Sequence, residues 1–75
     1  MNTEAETVVF RLWDQVYDAL LTREQRRAFA KRLPQRDRAI IGQLMLTALI
    51  LALEGRSLAE IVQVLRERHM PKRWQ

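Results

Sequence analysis

The middle of the chain, residues 39–53, contains no charged residue, and only Gly42, Gln43 and Thr47 interrupt its apolar run. A helix formed by this segment is apolar on every side, so it has to be covered on every side. A chain of this size buries only about 60% of the surface that its unfolded form exposes, so its margin of stability is thin. We therefore predict that the other helices cover the segment in part and that a second copy completes the cover.

Local signals for the ends of helices are frequent. Residues 3–6, 22–25 and 57–60 each carry a capping box, in which a Ser or Thr and a Glu or Gln three residues later satisfy each other's backbone N–H groups. A further helix is predicted to begin at Pro34, because proline suits the first helical turn. Gly55 is predicted to end that helix in a left-handed conformation.

These signals predict helices at about residues 4–21, 23–32, 35–54 and 58–69. No segment alternates apolar and polar residues over a useful length, so no strand is predicted. The predicted fold is all-α, with four short helices packed around a central apolar helix (about residues 35–54) and the whole chain dimeric. It forms a single domain over residues 1–75 that ends in a short basic tail at residues 71–75. The inward-facing residues of the second and fourth helices are predicted to be Ala28, Phe29, Leu33, Leu58, Ile61, Val62 and Leu65.

The central helix is also the predicted site of self-association. The residues predicted for this oligomer interface are Ile41, Leu44, Met45, Ala48, Leu49 and Ala52. A membrane span is the competing interpretation of the same segment. Residues 39–53 would extend only about 22 Å as a helix, however, whereas the hydrocarbon core is about 30 Å thick. Because charged residues flank the segment closely at both ends, a membrane is not the expected partner.

Basic residues concentrate in residues 23–38, which hold seven bases and two acids. Arg23, Arg27 and Lys31 recur at i, i+4 and i+8, so they share one helix face that could follow nucleic-acid phosphates. The alternative is a solvated face neutralised by nearby acids. The candidate contacts to nucleic acid or to an acidic partner are Arg23, Arg26, Arg27, Lys31, Arg36, Arg38, Lys72 and Arg73.

The C-terminal part of the chain has two features of interest. Residues 55–65, with Ser57, Glu60, Ile61 and Leu65, resemble the opening helix of helix-turn-helix domains. Such domains continue with a tight turn and a recognition helix, for which five residues from position 71 are too few. Trp74 could stack on a base or enter a partner's pocket. Alternatively it folds back onto the core, and this is the position that we predict.

Residues suited to catalysis are scarce. The sequence has no cysteine, a single histidine (His69) and no Gly-rich phosphate loop, so no enzymatic activity, cofactor or metal is predicted. Asp14 and Asp18 lie at i, i+4 and share a helix face. We interpret them as an acidic patch that either pairs with the basic second helix or meets a basic partner.

The remaining hypotheses are two kinds of binding protein. The first is a small non-enzymatic regulator, such as an inhibitor, anti-activator or adaptor, that contacts an unidentified protein and forms a homodimer. The alternative is a nucleic-acid-binding transcriptional regulator that uses the Arg-rich segment 23–38 and the basic tail. The polar, acidic N-terminus is unlike a signal peptide, so a cytoplasmic location is expected.

Overall fold

The computed structural model describes residues 3–74, apart from the side chains of Thr3 and Ala5, and this part of the chain is all-helical, as predicted. Four α-helices follow one another: α1 (Thr3–Leu20), α2 (Arg23–Lys31), α3 (Gln35–Leu53) and α4 (Leu58–Val64). A π-helical segment, Leu65–His69, continues α4, and a 3-10 turn, Lys72–Trp74, follows it. The predicted boundaries therefore agree with the structure to within about two residues, except that the last turns of the fourth helix are wider than α-helical.

Two of the predicted capping boxes form. The Thr22 hydroxyl accepts from the Gln25 backbone N–H at 3.1 Å, and the Gln25 side chain accepts from the Thr22 backbone N–H at 2.8 Å. Ser57 and Glu60 repeat this exchange at the start of α4. The third predicted box depends on the side chain of Thr3, which lies outside the described residues.

The two ends of α3 are set by the residues that the sequence indicates. Pro34 stands one position before the helix rather than within it, and its carbonyl accepts from the N–H groups of Asp37 and Arg38. At the other end, Gly55 adopts the predicted left-handed conformation, with a φ of 86°. The Arg56 N–H then donates to the Leu51 carbonyl at 3.1 Å, which satisfies one of the last carbonyls of α3.

The core lies between α1, α3 and α4, which pack pairwise against one another. It is formed by apolar residues of these helices together with Met70 and Trp74 from the C-terminal segment. The buried apolar residues are Val16, Leu20, Leu21, Leu44, Ala48, Ile61, Leu65, Met70 and Trp74. α2 contributes no buried residue and lies at the periphery.

The prediction of inward-facing residues is wrong at two positions, Ala28 and Leu58. Ala28 is exposed, because α2 touches the core only through half-buried residues such as Phe29. Leu58 is 40% exposed, since it stands in the first turn of α4, at the edge of the helix cluster. The deeper positions Ile61 and Leu65 are buried as predicted.

α3 is covered by its own chain along one face. Leu44 and Ala48 are its buried apolar residues, each 2% exposed. On its other side Leu46, Ile50 and Leu53 are 54%, 49% and 80% exposed. One chain therefore leaves much of the apolar surface of α3 in water.

The C-terminal residues fold back onto the bundle through what we call the C-terminal clamp, formed by Gln25, Asp37, Arg73 and Trp74. The Trp74 indole N–H donates to the carboxylate Oδ1 of Asp37 at 3.2 Å, and the Arg73 guanidinium donates to the same oxygen. The Gln25 side chain donates to the Trp74 carbonyl. The Trp74 ring also contacts Phe29, with ring centroids 5.3 Å apart. Trp74 therefore takes the core position that we favoured.

The clamp makes Asp37 an acid-sensitive point of the fold. Burial raises the pKa of the Asp37 carboxyl, but hydrogen bonds from Arg73 and Trp74 and the charges of Arg73 and Arg36 lower it more, so the pKa lies below its ordinary value. Such a group stabilises the folded state fully above its unfolded pKa. That contribution is lost as the pH falls through the folded pKa.

The pH dependence of stability should therefore change in Asp37→Asn. We expect the variant to be less stable than the original chain at pH 7, and the difference to narrow as the pH falls below about 4, near the pKa of an unfolded Asp. Urea unfolding followed by far-ultraviolet circular dichroism at pH 7 and pH 3 measures both differences. Asp14→Asn, at an exposed position of α1, should keep the original pH dependence. If the free energy of unfolding of Asp37→Asn differs from that of the original chain by the same amount at pH 7 and pH 3, this role is contradicted.

Candidate binding surfaces

The uncovered side of α3 carries a regular apolar stripe, which we call the outer seam. Its residues are Ala39, Gly42, Leu46, Leu49 and Leu53, spaced by alternating steps of three and four residues. This spacing keeps them in one line along a helix and is typical of helix-to-helix contact surfaces. All are exposed except Leu49, which is half-buried.

Beside the outer seam, α1 and α3 form an apolar groove. It is lined by Val9 and Trp13 of α1 and by Met45 and Leu49 of α3, among others, and its volume is about 130 Å³. The Trp13 ring is held by Tyr17, with centroids 5.6 Å apart. The groove and the outer seam share Leu46 and Leu49, so they form one continuous apolar surface.

Two of the six residues predicted for the oligomer interface are buried within one chain. Leu44 and Ala48 are buried in the chain's own core, and Ile41 and Ala52 are packed against that core. Leu44 and Ala48 are not accessible to a second copy, because α1 and α4 already occupy that side of α3. Ile41 and Ala52 are half-buried, so their place in an interface stays a prediction. The other two predicted residues, Met45 and Leu49, do line the open groove.

A second candidate surface is the basic face of α2, formed by Arg23, Arg27 and Lys31. All three residues are exposed, as their i, i+4, i+8 spacing predicts for one side of a peripheral helix. None of the three makes an ion pair within the described part of the chain. Arg36, Arg38 and Lys72 of the predicted set are also exposed.

Two predicted basic contacts have structural roles instead. Arg26 is turned toward the C-terminal end of α1, where its guanidinium donates to the carbonyls of Asp18 and Leu21 at 2.9 and 3.0 Å. Those carbonyls have no partner within the helix, and α1 has no basic residue in its own last turn. Arg73 is engaged by Asp37 in the C-terminal clamp. Both are therefore engaged within their own chain, and their contact with an outside partner stays a prediction.

Of the two residues of the predicted acidic patch, Asp14 and Asp18, the second contacts α2. Asp18 lies 3.6 Å from the Arg26 guanidinium, so it pairs with the second helix, which is one of the two roles predicted for it. Both carboxylates are exposed.

Two features were absent from the predicted sites. The outer seam is hidden in the sequence by the apolar residues on every other side of the same helix. The clamp joins Asp37 to Arg73 and Trp74, which are more than thirty positions away. A charged Asp just before a long apolar run, together with a Trp close to the chain end, was the only sign of it.

Three other features can be checked in the described residues: a metal cluster, a membrane span and a recognition helix after α4. In the described residues, no three His, Asp or Glu side chains come close enough together to hold a metal ion. Within residues 3–74, no helix combines the length and the apolar character that a membrane crossing requires. Residues 65–74 continue as a π-helical segment and a 3-10 turn, so no recognition helix follows α4 within the described range.

Comparison of the chain with protein-family models, with curated proteins and with solved structures finds no match. The candidate surfaces are therefore weighed by their own geometry.

The two neighbouring arginines of α2 should differ in their effect on stability. Arg26→Ala removes charge-assisted hydrogen bonds to the end of α1 and should lower the free energy of unfolding by about 1 kcal/mol. Arg27→Ala, the matched control on the exposed basic face, should stay within about 0.5 kcal/mol of the original chain. Urea unfolding of the two variants measures the contrast. Equal losses would contradict the division of the arginines into structural and exposed ones.

Proposed function

We propose that this chain is a small non-enzymatic regulatory binding protein, of the inhibitor, anti-activator or adaptor kind, that acts in the cytoplasm by protein–protein contact and as a homodimer. The observation that carries the proposal is the exposed outer seam together with the adjoining groove. Leu46 and Leu53 leave more than half of their surface in water, although full burial of a leucine side chain is worth about 1.5–3 kcal/mol. A partner that covers this surface gains the share of that free energy that belongs to the exposed area, less the cost of association.

The character of the surface supports a protein partner over a nucleic acid. Phosphates and base edges are bound by cations and hydrogen-bonding groups, and the outer seam has neither. An exposed apolar helix face is instead a form in which helical partners bind one another. Contiguous exposed apolar surface of this kind is rare on monomeric proteins that bind nothing.

Photocrosslinking from the outer seam tests the proposal. A benzophenone amino acid placed at Leu53, the most exposed seam residue, should give a covalent adduct with a protein in the cells that express the chain. The adduct should disappear when Leu46→Asp is added, because a carboxylate in the seam would have to be desolvated on binding. The same probe at Gln15, an exposed position of α1 away from the seam, is the control. Adducts at Leu53 no stronger than those at Gln15 would contradict the proposal.

Binding to nucleic acid is the second candidate function, and the basic face of α2 favours it. Three cations at successive turns of one helix, without ion pairs in the described part of the chain, are free to contact phosphates. Arg36 and Arg38, at the start of α3, add to the same basic region of the sequence. This surface uses other residues than the outer seam, so the two functions do not compete for them.

The salt dependence of DNA binding tests this second candidate. Fluorescence anisotropy with a mixed-sequence duplex, between about 50 and 300 mM salt, should show affinity that falls steeply with salt. The double variant Arg23→Ala, Arg27→Ala should reduce the slope by about two phosphate contacts. Arg11→Ala, Arg68→Ala removes the same charge from exposed positions outside α2 and should leave the slope nearly unchanged. Equal slopes in the two double variants would count against the basic face.

A further inference from the structure

We propose that the outer seam binds the outer seam of a second copy of this chain in antiparallel orientation, with the two-fold axis beside Leu46. The inference rests on the proposed function, because it identifies a second copy of the chain as a protein that binds the same surface. Three observations carry it: the order of small and large residues along the seam, an unexplained glycine, and the charges at its two ends.

The seam runs from small residues to large ones. Ala39 and Gly42 stand at its N-terminal end, Leu49 and Leu53 at its C-terminal end, and Leu46 lies between them. An antiparallel pair centred on Leu46 sets Ala39 opposite the second copy's Leu53 and Gly42 opposite its Leu49, so that the large side chains at each end meet small ones and only Leu46 meets its own copy. A parallel pair would set leucine against leucine at one end and leave a gap at the other. Uniform filling of the space between helices therefore favours the antiparallel pair.

Gly42 has no explanation within one chain. Glycine weakens a helix relative to alanine, because it loses more conformational freedom on folding. A Cβ added at Gly42 would meet no atom within 4 Å, so the chain's own side chains do not require glycine there. Close approach of a second helix does require a small residue, and the outer seam is the side of α3 on which Gly42 lies.

The charges at the two ends of α3 are opposite in sign. Arg36 and Arg38 stand in its first turn and Glu54 at its C-terminal end, and all three are exposed, with no charge in residues 39–53 between them. An antiparallel pair brings the arginines of one copy toward Glu54 and the last carbonyls of the other, where cations are favoured. Arg56, the next cation, is engaged by Glu60 of its own chain at 3.3 Å. A parallel pair would bring like charges together at both ends.

The dimer should be of modest affinity. A single pair of short helices buries less than the roughly 800 Å² per partner of a standard interface. We expect a dissociation constant in the micromolar range, so that the population of dimers depends on the concentration of the chain.

Single cysteines report the orientation directly, because the chain has no native cysteine. With a short bismaleimide, Leu46→Cys should crosslink to itself across the two-fold axis. Leu53→Cys alone should not, since its two copies would be about 21 Å apart along the helices. An equimolar mixture of Leu53→Cys with a mass-tagged Ala39→Cys should give the mixed product. Self-crosslinking of Leu53→Cys as efficient as that of Leu46→Cys would overturn the antiparallel orientation.

Sedimentation equilibrium from about 1 to 300 µM tests whether the purified chain dimerises through the seam at all. Leu46→Asp and Gly42→Leu should each raise the dissociation constant at least tenfold, and circular dichroism should show that both remain helical. Gly42→Leu is the safer variant, because its added side chain meets no atom of its own chain near the Cβ. Phe10→Asp, exposed on α1 outside the seam, is the control and should dimerise as the original chain does.

A purified chain that stays monomeric up to the highest concentration overturns the inference. If the probe at Leu53 still captures a different protein in cells, the proposed binding of a protein partner stands and only the homodimer fails. If neither association is found, both fail.

Discussion

Cover for the uncharged segment 39–53 is the constraint on which the rest of this structure depends. A helix that is apolar on all sides needs neighbours on all sides, and α1 and α4 reach only the side that carries Leu44 and Ala48. The core forms there, and the C-terminal segment adds Met70 and Trp74 to it. The outer seam is the side of α3 that α1 and α4 leave uncovered. The fold and the proposed function thus have the same origin, which is that α3 has more apolar surface than the other helices cover.

The arginines illustrate how a small domain divides one residue type between structure and surface. Arg26 and Arg66 donate to carbonyls at the end of α1, the latter to Ala19 at 2.7 Å, and Arg73 holds Asp37. The contacts of Arg26 and Arg66 supply partners for carbonyls at the end of α1, which have none within the helix. Arg23 and Arg27 lie on the same helix as Arg26 and have no such role. Arg23 and Arg27, unlike the arginines that contact their own chain, therefore remain candidates for contact with a partner.

The sequence was sufficient for the helices and insufficient for their faces. Capping boxes, Pro34 and Gly55 act within four or five residues, so their effect is legible locally and the boundaries follow. The orientation of α3 is another matter. Its apolar residues lie on every side, so no stripe distinguishes the core side from the exposed one, and the predicted interface fell largely on the core side. The clamp was equally out of reach, because it joins residues far apart in the chain and depends on how the C-terminal segment folds back.

The two faces of α3 separate the residues that form the core from those that we propose bind a partner. Leu44 and Ala48 are buried in one chain, so their loss would act on stability first. Leu46, Leu53 and Gly42 contribute little to the core, and Gly42 even weakens the helix in which it stands. A residue that breaks a local rule without a gain inside its own chain is best explained by a contact outside it. By this argument the outer seam is the surface that we propose binds a partner, whereas the opposite face of the same helix packs into the core of the fold.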